Sequence, residues 1–358
     1  MKNKIESSLC QRLLLCSCLL VPTLVQAESN TRQIDYYEDM SVTVTNNVQR
    51  VATSWESQNS IITMLGFGER IVATTRFARL SPAFRKFVPG IAEVPLSTNG
   101  GQAGVDVERM LALRPDIIFV GMGLPQSKKE QLERSGIAVA TFRSGGMEKM
   151  LERVGLIGKM LGDEADAEAQ RYLAYFEKNR LRVAERIASI PEADRIKVYV
   201  ASGTPLATTG RPSLNQDWLD LAGGINVAED WHLTVKSETT SIASIESIIG
   251  SNPDVIISMR ARDVDVINSD PRWSNINAVK NGRVYANPRG IFWWCRESSE
   301  EALQMLWVAK LLYPDLFSDI DMRKEAFEFY REFYDIELTD EDLDGFLNPA
   351  PMAVRSRT

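Results

Sequence analysis

Apolar and polar positions along the chain form two series, and each series fits strands separated by short helices. Short apolar runs fit buried strands, and apolar residues spaced three and four apart fit helices. The first series predicts strands at 48–54, 71–75, 116–120 and 137–142, with helices at 58–65, 106–112 and 126–135. The second series predicts strands at 196–201, 255–259 and 283–286, with helices at 216–221 and 242–249. This alternation indicates βαβ units around mainly parallel sheets.

A long segment without a helix breaker separates the two series. Residues 163–190 contain no Gly and no Pro, whereas Gly162 precedes them and Pro191 follows them. The segment is rich in Ala, Glu, Arg and Leu, which are strong helix formers. A helix of ~28 residues spans roughly 42 Å. Its place between the two series predicts a connecting helix between two α/β lobes, in preference to a helix packed inside one domain.

The predicted organisation has four parts. These are an export signal at 1–27, a first α/β lobe at 28–162, the connecting helix at 163–190 and a second α/β lobe at 191–358. After Pro288 the chain becomes mostly helical, with helices predicted at 300–313, at 322–334 and beyond the Thr339 cap. These last helices are assigned to the second lobe.

The N-terminus has the regions of an export signal. Lys2, Lys4 and Arg12 precede the short apolar stretch 13–25, and Ala27 ends a small-residue cleavage site. The apolar stretch is too short to span a membrane. The segment therefore predicts a cleaved signal and a freely soluble, exported mature chain. A partial resemblance of its Leu-Cys-Ser-Cys run to a lipidation site leaves a lipid-anchored alternative open.

One unit of sequence occurs twice. VERMLALRPDIIF at 107–119 has a second copy, IESIIGSNPDVII, at 245–257. In both copies, apolar residues at i, i+3 and i+4 form the buried stripe of a short helix, which a Pro ends before a buried strand. Glu108 and Glu246 lie beside the stripe near the helix N-terminus, where negative charge is favourable. The repeat predicts duplicated lobes that each present one carboxylate at an equivalent surface point.

Composition narrows the functional class. The net charge falls from −7 to −9 without the signal, because three basic residues and Glu6 leave with it, and this argues against a nucleic-acid partner. Cys295 is then the only Cys, so no internal disulfide and no multi-thiolate metal site can form. A mature chain of about 330 residues fits two domains. Since dinucleotide, serine-hydrolase, zinc-protease and phosphate-loop motifs are absent, no enzyme is predicted.

These features together resemble the class III periplasmic substrate-binding proteins of ABC importers, whose ligands include iron–siderophores, haem, cobalamin and other metal chelates. The resemblance rests on the export signal, the opening strand at 50–53, the two Glu and Pro-Asp units, the single long helix and the Ser-Ser-Glu-Glu-Ala-Leu pattern at 298–303. It implies two Rossmann-like α/β lobes joined by a long α-helix, with the ligand cleft between the lobes. It also implies that Glu108 and Glu246 dock on arginines of the membrane permease.

The candidate ligand contacts follow the predicted strands, because ligands of open α/β sheets bind beyond the carboxyl ends of the strands. Arg suits carboxylates and oxyanions, and Trp presents a flat face to rings or cations. Together these residue types fit a bulky anionic solute. We expect at least one of the three aromatics at 292–294 to pack in the core, since side chains alternate in an extended run. The candidates are Trp55, Arg76, Gln102, Trp231, His232, Arg260, Arg289, Trp293, Trp294 and Arg296.

A metal site built by the protein alone is not expected. His232 is the only His in the chain, and Cys295 is the only Cys of the mature part. Related binders of free zinc or manganese use several His residues, so any metal is expected to arrive inside a chelator. His232 is then a candidate for one open coordination position, whereas Cys295 is expected to act as a small buried apolar residue. No cofactor is predicted.

The sequence and the resemblance predict a monomeric periplasmic receptor that delivers a metal chelate to the permease of an inner-membrane ABC importer. A ferric siderophore is the first expectation for the chelate. Nickel–histidine, haem, cobalamin and a molybdate-type oxyanion are the alternatives within the same role. An exported enzyme or a sensor ectodomain on the same fold is the alternative from another class.

Overall fold

The computed structural model describes residues 30–99, 104–121, 123–231, 233–237 and 240–351. The export signal predicted at 1–27 and two candidate ligand contacts, Gln102 and His232, lie outside these residues. Within the described ranges, no helix is both long and apolar enough to cross a membrane.

The elements are named in chain order. The strands are β1 (Thr31–Tyr36), β2 (Met40–Thr45), β3 (Val51–Thr53), β4 (Ile71–Ala73), β5 (Ile117–Gly121), β6 (Ala138–Phe142), β7 (Lys197–Ala201), β8 (Ala207–Thr208), β9 (Ile225–Asn226), β10 (Thr234–Ser237), β11 (Thr240–Ile242), β12 (Val255–Ser258) and β13 (Val284–Ala286). The helices are α1 (Gln58–Ile62), α2 (Arg76–Leu80), α3 (Pro82–Phe87), α4 (Val107–Leu113), α5 (Gln126–Arg134), α6 (Met147–Leu161), α7 (Asp163–Ile187), α8 (Leu214–Leu221), α9 (Ile245–Ser251), α10 (Ala261–Ser269), α11 (Asn277–Lys280), α12 (Glu301–Leu312), α13 (Met322–Tyr334) and α14 (Asp340–Leu347).

Two four-stranded parallel sheets define the two lobes. The sheet of the first lobe has the order β4-β3-β5-β6, and the sheet of the second lobe has the order β9-β7-β12-β13. Every neighbouring pair in both sheets is parallel. The two orders are the same when β3 is matched with β7 and β5 with β12. The predicted α/β class with two Rossmann-like lobes is therefore confirmed.

The two faces of each sheet divide the apolar core into one shared cluster and one outer cluster per lobe. Successive residues of a strand point to opposite faces. Ile117 of β5 and Val255 of β12 belong to the same shared cluster, whereas the next residues, Ile118 and Ile256, belong to the outer clusters. The shared cluster also includes residues of α6, α7, α12 and α13. It therefore runs through both lobes.

The repeated unit has the same helix ends in both lobes. The side chains of Asp106 and Ser244 cap α4 and α9, and each accepts a hydrogen bond from the N–H three residues further on. Both helices end at a residue in the left-handed conformation, which is Arg114 with φ of 47° and Asn252 with φ of 44°. The Pro that follows each of these residues cannot continue a helix, so the chain turns directly into a buried strand.

The Asp of each Pro-Asp pair ties the start of its strand to the neighbouring strand. Asp116 accepts a hydrogen bond from the Arg50 N–H, just before β3, at 2.8 Å. Asp254 accepts one from the Lys197 N–H, at the start of β7, at 3.4 Å. The second half of the repeated motif therefore sets the same strand pairing, β5 on β3 and β12 on β7.

The helix between the two series, α7, has 25 residues and ends three residues before the predicted end. It spans roughly 37 Å. α6 lies along α7 and was not among the predicted elements. A Cβ on Gly158 would lie 2.7 Å from the Cβ of Ala169, so the two backbones contact closely. The two lobes are thus connected by a packed pair of helices, α6 and α7, inside the shared cluster. The predicted domain boundaries at 162 and 190 stay predictions. The buried apolar face of α7 consists of Ala165, Ala169, Tyr172, Phe176, Val183 and Ile187.

Two small antiparallel sheets lie outside the predicted elements. β1 and β2 form a hairpin, and β8, β11 and β10 form a three-stranded sheet. In the hairpin, the Tyr36 hydroxyl accepts a hydrogen bond from the Thr141 N–H at 3.1 Å, and the Tyr37 hydroxyl accepts one from the Arg143 N–H at 3.1 Å. The hairpin therefore holds the segment that leaves β6 toward the gap between the lobes.

Two adjacent carboxyl groups, Glu300 and Glu301, are fully buried at the start of α12. The Tyr330 hydroxyl donates to Glu300 Oε1 at 2.6 Å, and the Phe292 N–H donates to the same carboxylate. Burial raises the pKa of Glu300 to about 7, although these hydrogen bonds oppose the rise. Burial also raises the pKa of Glu301 well above its ordinary value, and neither of its oxygens has a hydrogen-bond partner among the described residues.

We expect the free energy of unfolding to fall as pH rises from about 4.5 to about 7, the ordinary and raised pKa of Glu300. A carboxyl whose pKa is raised by folding stabilises the native state below its unfolded-state pKa, and this contribution is lost as pH rises through the folded-state pKa. The rise at Glu300 corresponds to roughly 3 kcal/mol. Glu300→Gln, which mimics the protonated acid, should flatten this part of the profile in urea denaturation. An equally steep profile in the variant would contradict the assignment.

Candidate functional site

A cleft of about 1290 Å³ lies between the two lobes. Its first-lobe wall comes from residues that follow the carboxyl ends of β3, β4, β5 and β6, as expected for an open parallel sheet. These residues include 54–57, 75–76, Gly121 and 144–145. One end of the first sheet therefore supplies a large part of the first-lobe wall, and the segment before α4 adds Leu96, Thr98, Gly104 and Val105.

The second-lobe wall is built differently. After β7 the chain turns back at Ser202, whose N–H donates to the Ala207 carbonyl at 2.7 Å, and continues into β8 of the small antiparallel sheet. The ends of β7 and β12 are therefore absent from the described wall. In their place the wall uses 209–215, Glu229, Trp231, Leu233, Phe292 and 295–297.

Four of the predicted ligand contacts lie in the cleft wall. The Trp55 ring lies 4.3 Å from the guanidinium carbon of the buried Arg153. The Trp231 ring stacks on Tyr199 with ring centroids 6.3 Å apart. Among these four candidates, each lobe contributes one indole and one guanidinium, and their contact with a ligand stays a prediction. The four residues are Trp55 and Arg76 in the first lobe and Trp231 and Arg296 in the second.

Three predicted contacts lie beside the described cleft wall and do not line it. Arg260 follows β12, and a Cβ on Gly203 would lie 3.9 Å from its guanidinium carbon, so its side chain lies along the turn after β7. The guanidinium carbon of Arg289 lies 5.8 Å from the Trp293 ring centroid. The Trp293 ring in turn lies 4.9 Å from the Phe77 ring. Burial lowers the pKa of both arginines, and a second cause at Arg260 is the neighbouring positive charge.

Trp294, which was predicted to contact the ligand, cannot reach it because its side chain is fully buried. The indole belongs to the shared cluster, and its N–H donates to the Tyr330 hydroxyl at 3.4 Å. Phe292 reaches the cleft wall, and Trp293 is half-buried. At least one of the three aromatics therefore packs in the core, as the alternation of side chains predicts.

Charges of both signs line the cleft. Arg211 is matched by Asp220, with an ion-pair distance of 2.9 Å. Arg76 and Arg296 make no ion pair with an acid of the described residues, and they lie on opposite walls. Burial raises the pKa of Glu56 in the first-lobe wall, and the positive charge of Arg296 opposes that rise. Within the described ranges, the cleft therefore offers one guanidinium without an ion-pair partner from each lobe.

The protein's own residues do not form a metal cage in the described ranges. No group of three or more His, Cys, Asp or Glu there could hold a metal ion. Cys295 is only 4% exposed, and burial raises the pKa of its thiol to about 12. The thiol is therefore protonated at neutral pH, whereas a metal ligand would need the thiolate. It packs as a small apolar side chain in the shared cluster.

Several residues of the cleft wall were not among the candidates. Ser144 and Gly145 follow β6, so the carboxyl-end rule could have selected them. Arg211 comes from the loop between β8 and α8, where no periodic pattern marks a functional position, and Asn215 is the second residue of α8. Glu297 stands next to a selected arginine, but nothing in the sequence shows that it faces the cleft while Trp294 faces the core.

Three comparisons relate the chain to known proteins. A family model described as "Periplasmic binding protein" matches residues 51–289. The molybdate-binding protein MolA of Haemophilus influenzae is 27% identical over 352 residues, which cover 90% of this chain and 95% of MolA. A vitamin B12-binding protein of Pectobacterium carotovorum is 24% identical over 218 residues, which cover 59% of this chain and 75% of that protein. The crystal structure of a periplasmic solute binding protein from Veillonella parvula has a TM-score of 0.77 at 25% identity, covering 89% of this chain and 97% of that structure.

Gly290 lies just before the residues among 292–297 that contribute to the second-lobe wall. A Cβ there would lie 1.7 Å from the Tyr330 hydroxyl oxygen and 2.6 Å from Glu300 Oε1, so the hydrogen bond between these groups would be disrupted. We expect Gly290→Ala to lower the free energy of unfolding by roughly 3 kcal/mol in urea denaturation. Gly250→Ala in α9 is the matched control, because a Cβ there meets nothing within 4 Å. Equal stability of the two variants would contradict the described packing.

Proposed function

The chain belongs to the periplasmic binding protein family of ABC transporters, and from this premise we propose that it captures an anionic, metal-containing solute in the cleft and delivers it to an inner-membrane importer. Members of the family are transport binding proteins and not enzymes. One observation carries the proposal: Arg76 and Arg296 face the cleft from opposite walls without ion-pair partners among the described residues. An anion between them would form charge-assisted hydrogen bonds with both lobes.

A metal chelate, with a ferric siderophore first, is the proposed class of solute. The cleft of about 1290 Å³ exceeds the usual range for small-molecule pockets and suits a bulky ligand. The indoles of Trp55 and Trp231 offer flat surfaces to an aromatic or chelated solute. The relative that is named as a vitamin B12-binding protein supports a large metal chelate as the ligand type.

Molybdate is the second candidate, and a specific observation favours it. The relative with 27% identity over 90% of this chain is named as a molybdate-binding protein. The hydroxyl of Ser57, in the first-lobe wall, is buried and has no hydrogen-bond partner among the described residues. Such an oxyanion would accept hydrogen bonds from this hydroxyl and from the two guanidiniums. Nickel–histidine, haem and cobalamin stay alternatives within the same receptor role.

The proposed receptor acts as a monomer in the periplasm after removal of the signal at 1–27. The family assignment supports the compartment, and the charged start of the chain followed by an apolar stretch supports export. No resident cofactor is proposed, because the metal belongs to the solute that is carried.

Glu108 and Glu246 are proposed to dock the receptor on the permease. Each is the second residue of a short helix, each is exposed, and they lie at equivalent points of the duplicated lobes. A carboxylate in the first turn of a helix is stabilised by the helix dipole, and it can still pair with arginines of a partner. Two equivalent carboxylates therefore suit a two-point contact with a membrane protein.

Titration of the purified mature chain with a ferric tris-catecholate and with sodium molybdate tests the ligand class. We expect the bound solute to change Trp emission, since Trp55 and Trp231 line the cleft. Arg76→Ala and Arg296→Ala should each weaken binding about 10- to 100-fold, because a hydrogen bond to a charged group would be lost. Arg260→Ala is the matched control and should bind within about twofold of the wild type, because its guanidinium lies outside the described wall.

Unchanged affinity in both the Arg76 and the Arg296 variant would move the site elsewhere. An equal loss in the Arg260 control would show that the effect is general and not local to the cleft. Metal analysis and mass spectrometry of the solute that co-purifies from the host would separate a chelate from a bare oxyanion. Product formation from the bound solute would favour an enzyme instead.

Reversing both docking charges, Glu108→Lys with Glu246→Lys, is expected to abolish uptake while ligand affinity stays unchanged, because the two activities use different surfaces. Uptake is measured in cells that depend on this receptor, and affinity is measured by titration. The matched control is Glu164→Lys with Glu341→Lys, because both residues are also exposed at the second position of a helix. Normal uptake by the first double variant would refute the docking role, as would equal loss in the control.

A further inference from the structure

We infer that Arg153 is a positioning residue for the cleft floor, the part of the wall formed by Trp55, Gly145 and Glu297. Arg153 belongs to α6, and its side chain is fully buried beneath these residues. Trp55 and Gly145 come from the first lobe, and Glu297 comes from the second. The inference rests on the proposed function, since it treats the floor as a surface that the solute meets.

The guanidinium of Arg153 joins groups from both lobes. Nη1 donates to Glu297 Oε2 at 2.9 Å and to the Arg143 carbonyl at 3.3 Å. Nη2 donates to the Glu297 carbonyl at 3.2 Å. The guanidinium carbon lies 4.3 Å from the centroid of the Trp55 ring. One cation therefore contacts a side chain and the main chain of the second lobe together with an indole of the first.

The Arg153 guanidinium needs these contacts because it is buried. A buried guanidinium is strongly unfavourable unless a counter-charge and hydrogen-bond acceptors surround it. Here a carboxylate, two carbonyls and the face of an indole meet the group, and Arg is the side chain whose planar fork can use all of them at once. Displacement of Trp55 or Glu297 would remove part of this compensation. Arg153 therefore opposes movement of either residue.

Glu297 is held from two sides in a conformation that non-glycine residues seldom adopt. Its φ is 49°, in the left-handed region. Its Oε1 accepts a hydrogen bond from the Gly145 N–H at 2.9 Å, while its Oε2 is bound to Arg153. Asp217 of the second lobe accepts a hydrogen bond from the Met147 N–H at 2.8 Å. Two second-lobe carboxylates thus bind the beginning of α6, the helix that carries Arg153.

Trp55 has a second rigid neighbour besides Arg153. A Cβ on Gly121 would lie 3.6 Å from the Trp55 ring, so the ring packs close to the backbone at the end of β5. The indole is half-buried, and its remaining surface faces the cleft. A solute therefore meets an aromatic surface that is already ordered, and such preorganisation lowers the entropic cost of binding.

Fluorescence of the ligand-free protein tests this inference. The emission of Trp55 is obtained by subtracting the spectrum of Trp55→Phe, in backgrounds that carry Arg153, Arg153→Lys or Arg153→Met. Lys keeps the charge but cannot bridge the Glu297 carboxylate and carbonyl, whereas Met removes the charge. We expect the acrylamide quenching constant of Trp55 to rise about twofold or more in both variants, because the ring loses its support.

Arg143→Lys is the matched control. The Arg143 guanidinium also lies near an aromatic ring, 4.6 Å from the centroid of Tyr37, but the side chain is exposed and does not line the described wall. The quenching constant of Trp55 should stay the same in this variant. Circular dichroism confirms that each variant is folded, and Arg153→Lys decides the outcome if Arg153→Met does not fold.

Binding gives a second readout, with sodium molybdate and the ferric tris-catecholate as probes. We expect Trp55→Phe to weaken binding about fivefold or more when Arg153 is present, but less than about twofold in the Arg153→Lys background, since the ring is already displaced there. If Arg153 only stabilised the fold, its substitution would lower the urea midpoint, and the two effects on binding would be independent.

An unchanged quenching constant of Trp55 in Arg153→Lys would overturn the inference, and so would independent effects on binding. If neither probe binds the wild-type chain, the proposed ligand class fails. The fluorescence comparison still decides the role of Arg153 in that case, because it needs no ligand.

Discussion

Both parallel sheets bury one face in the same apolar cluster, and the geometry of the cleft depends on that shared burial. Ile117 of β5 and Val255 of β12 lie in one cluster with residues of α6, α7, α12 and α13. Burial of apolar area stabilises a protein in rough proportion to the area removed from water. The lobes therefore cannot be separated without exposing their common core. The long helix α7 connects them as part of this core, and its pair with α6 brings a buried guanidinium to the floor of the cleft.

The segment that passes from the cleft to the shared cluster carries charged residues. Because these residues are buried or partly buried, they need hydrogen-bond partners. Glu300 receives hydrogen bonds from Tyr330 and from the Phe292 main chain. Glu297 is bound by Arg153 and by the Gly145 N–H. Such partners offset most of the cost of burying a polar group. The same partners that make the segment foldable also fix the direction of each side chain, so that Arg296 faces the cleft and Trp294 faces the core.

The carboxyl-end rule matches the described cleft wall in the first lobe but not in the second. In the first lobe all four strands lead into the cleft wall, so Trp55 and Arg76 lie where the rule placed them. In the second lobe the turn at Ser202 and the small antiparallel sheet replace the ends of β7 and β12, and Arg260 lies beside the wall. The sheet could not be predicted, because its strands are very short and the pairing of β8 with β11 joins residues far apart in the chain. No pattern in the sequence pointed to a buried role for Arg153, since an arginine on an amphipathic helix is usually exposed.

The sequence alone determined the alternation of strands and helices, the duplicated Glu and Pro-Asp unit and the helix between the two series. These features depend on local propensity, on the period of apolar positions and on residues that end helices, and all of these act over a few neighbouring positions. Only the tertiary structure decided which aromatics of 292–294 face the core, which arginines of the cleft wall lack an ion-pair partner in the described part of the chain and which buried cation contacts Trp55. Those outcomes depend on contacts between residues distant in the chain, whose distances become defined only when both sheets pack on the same cluster.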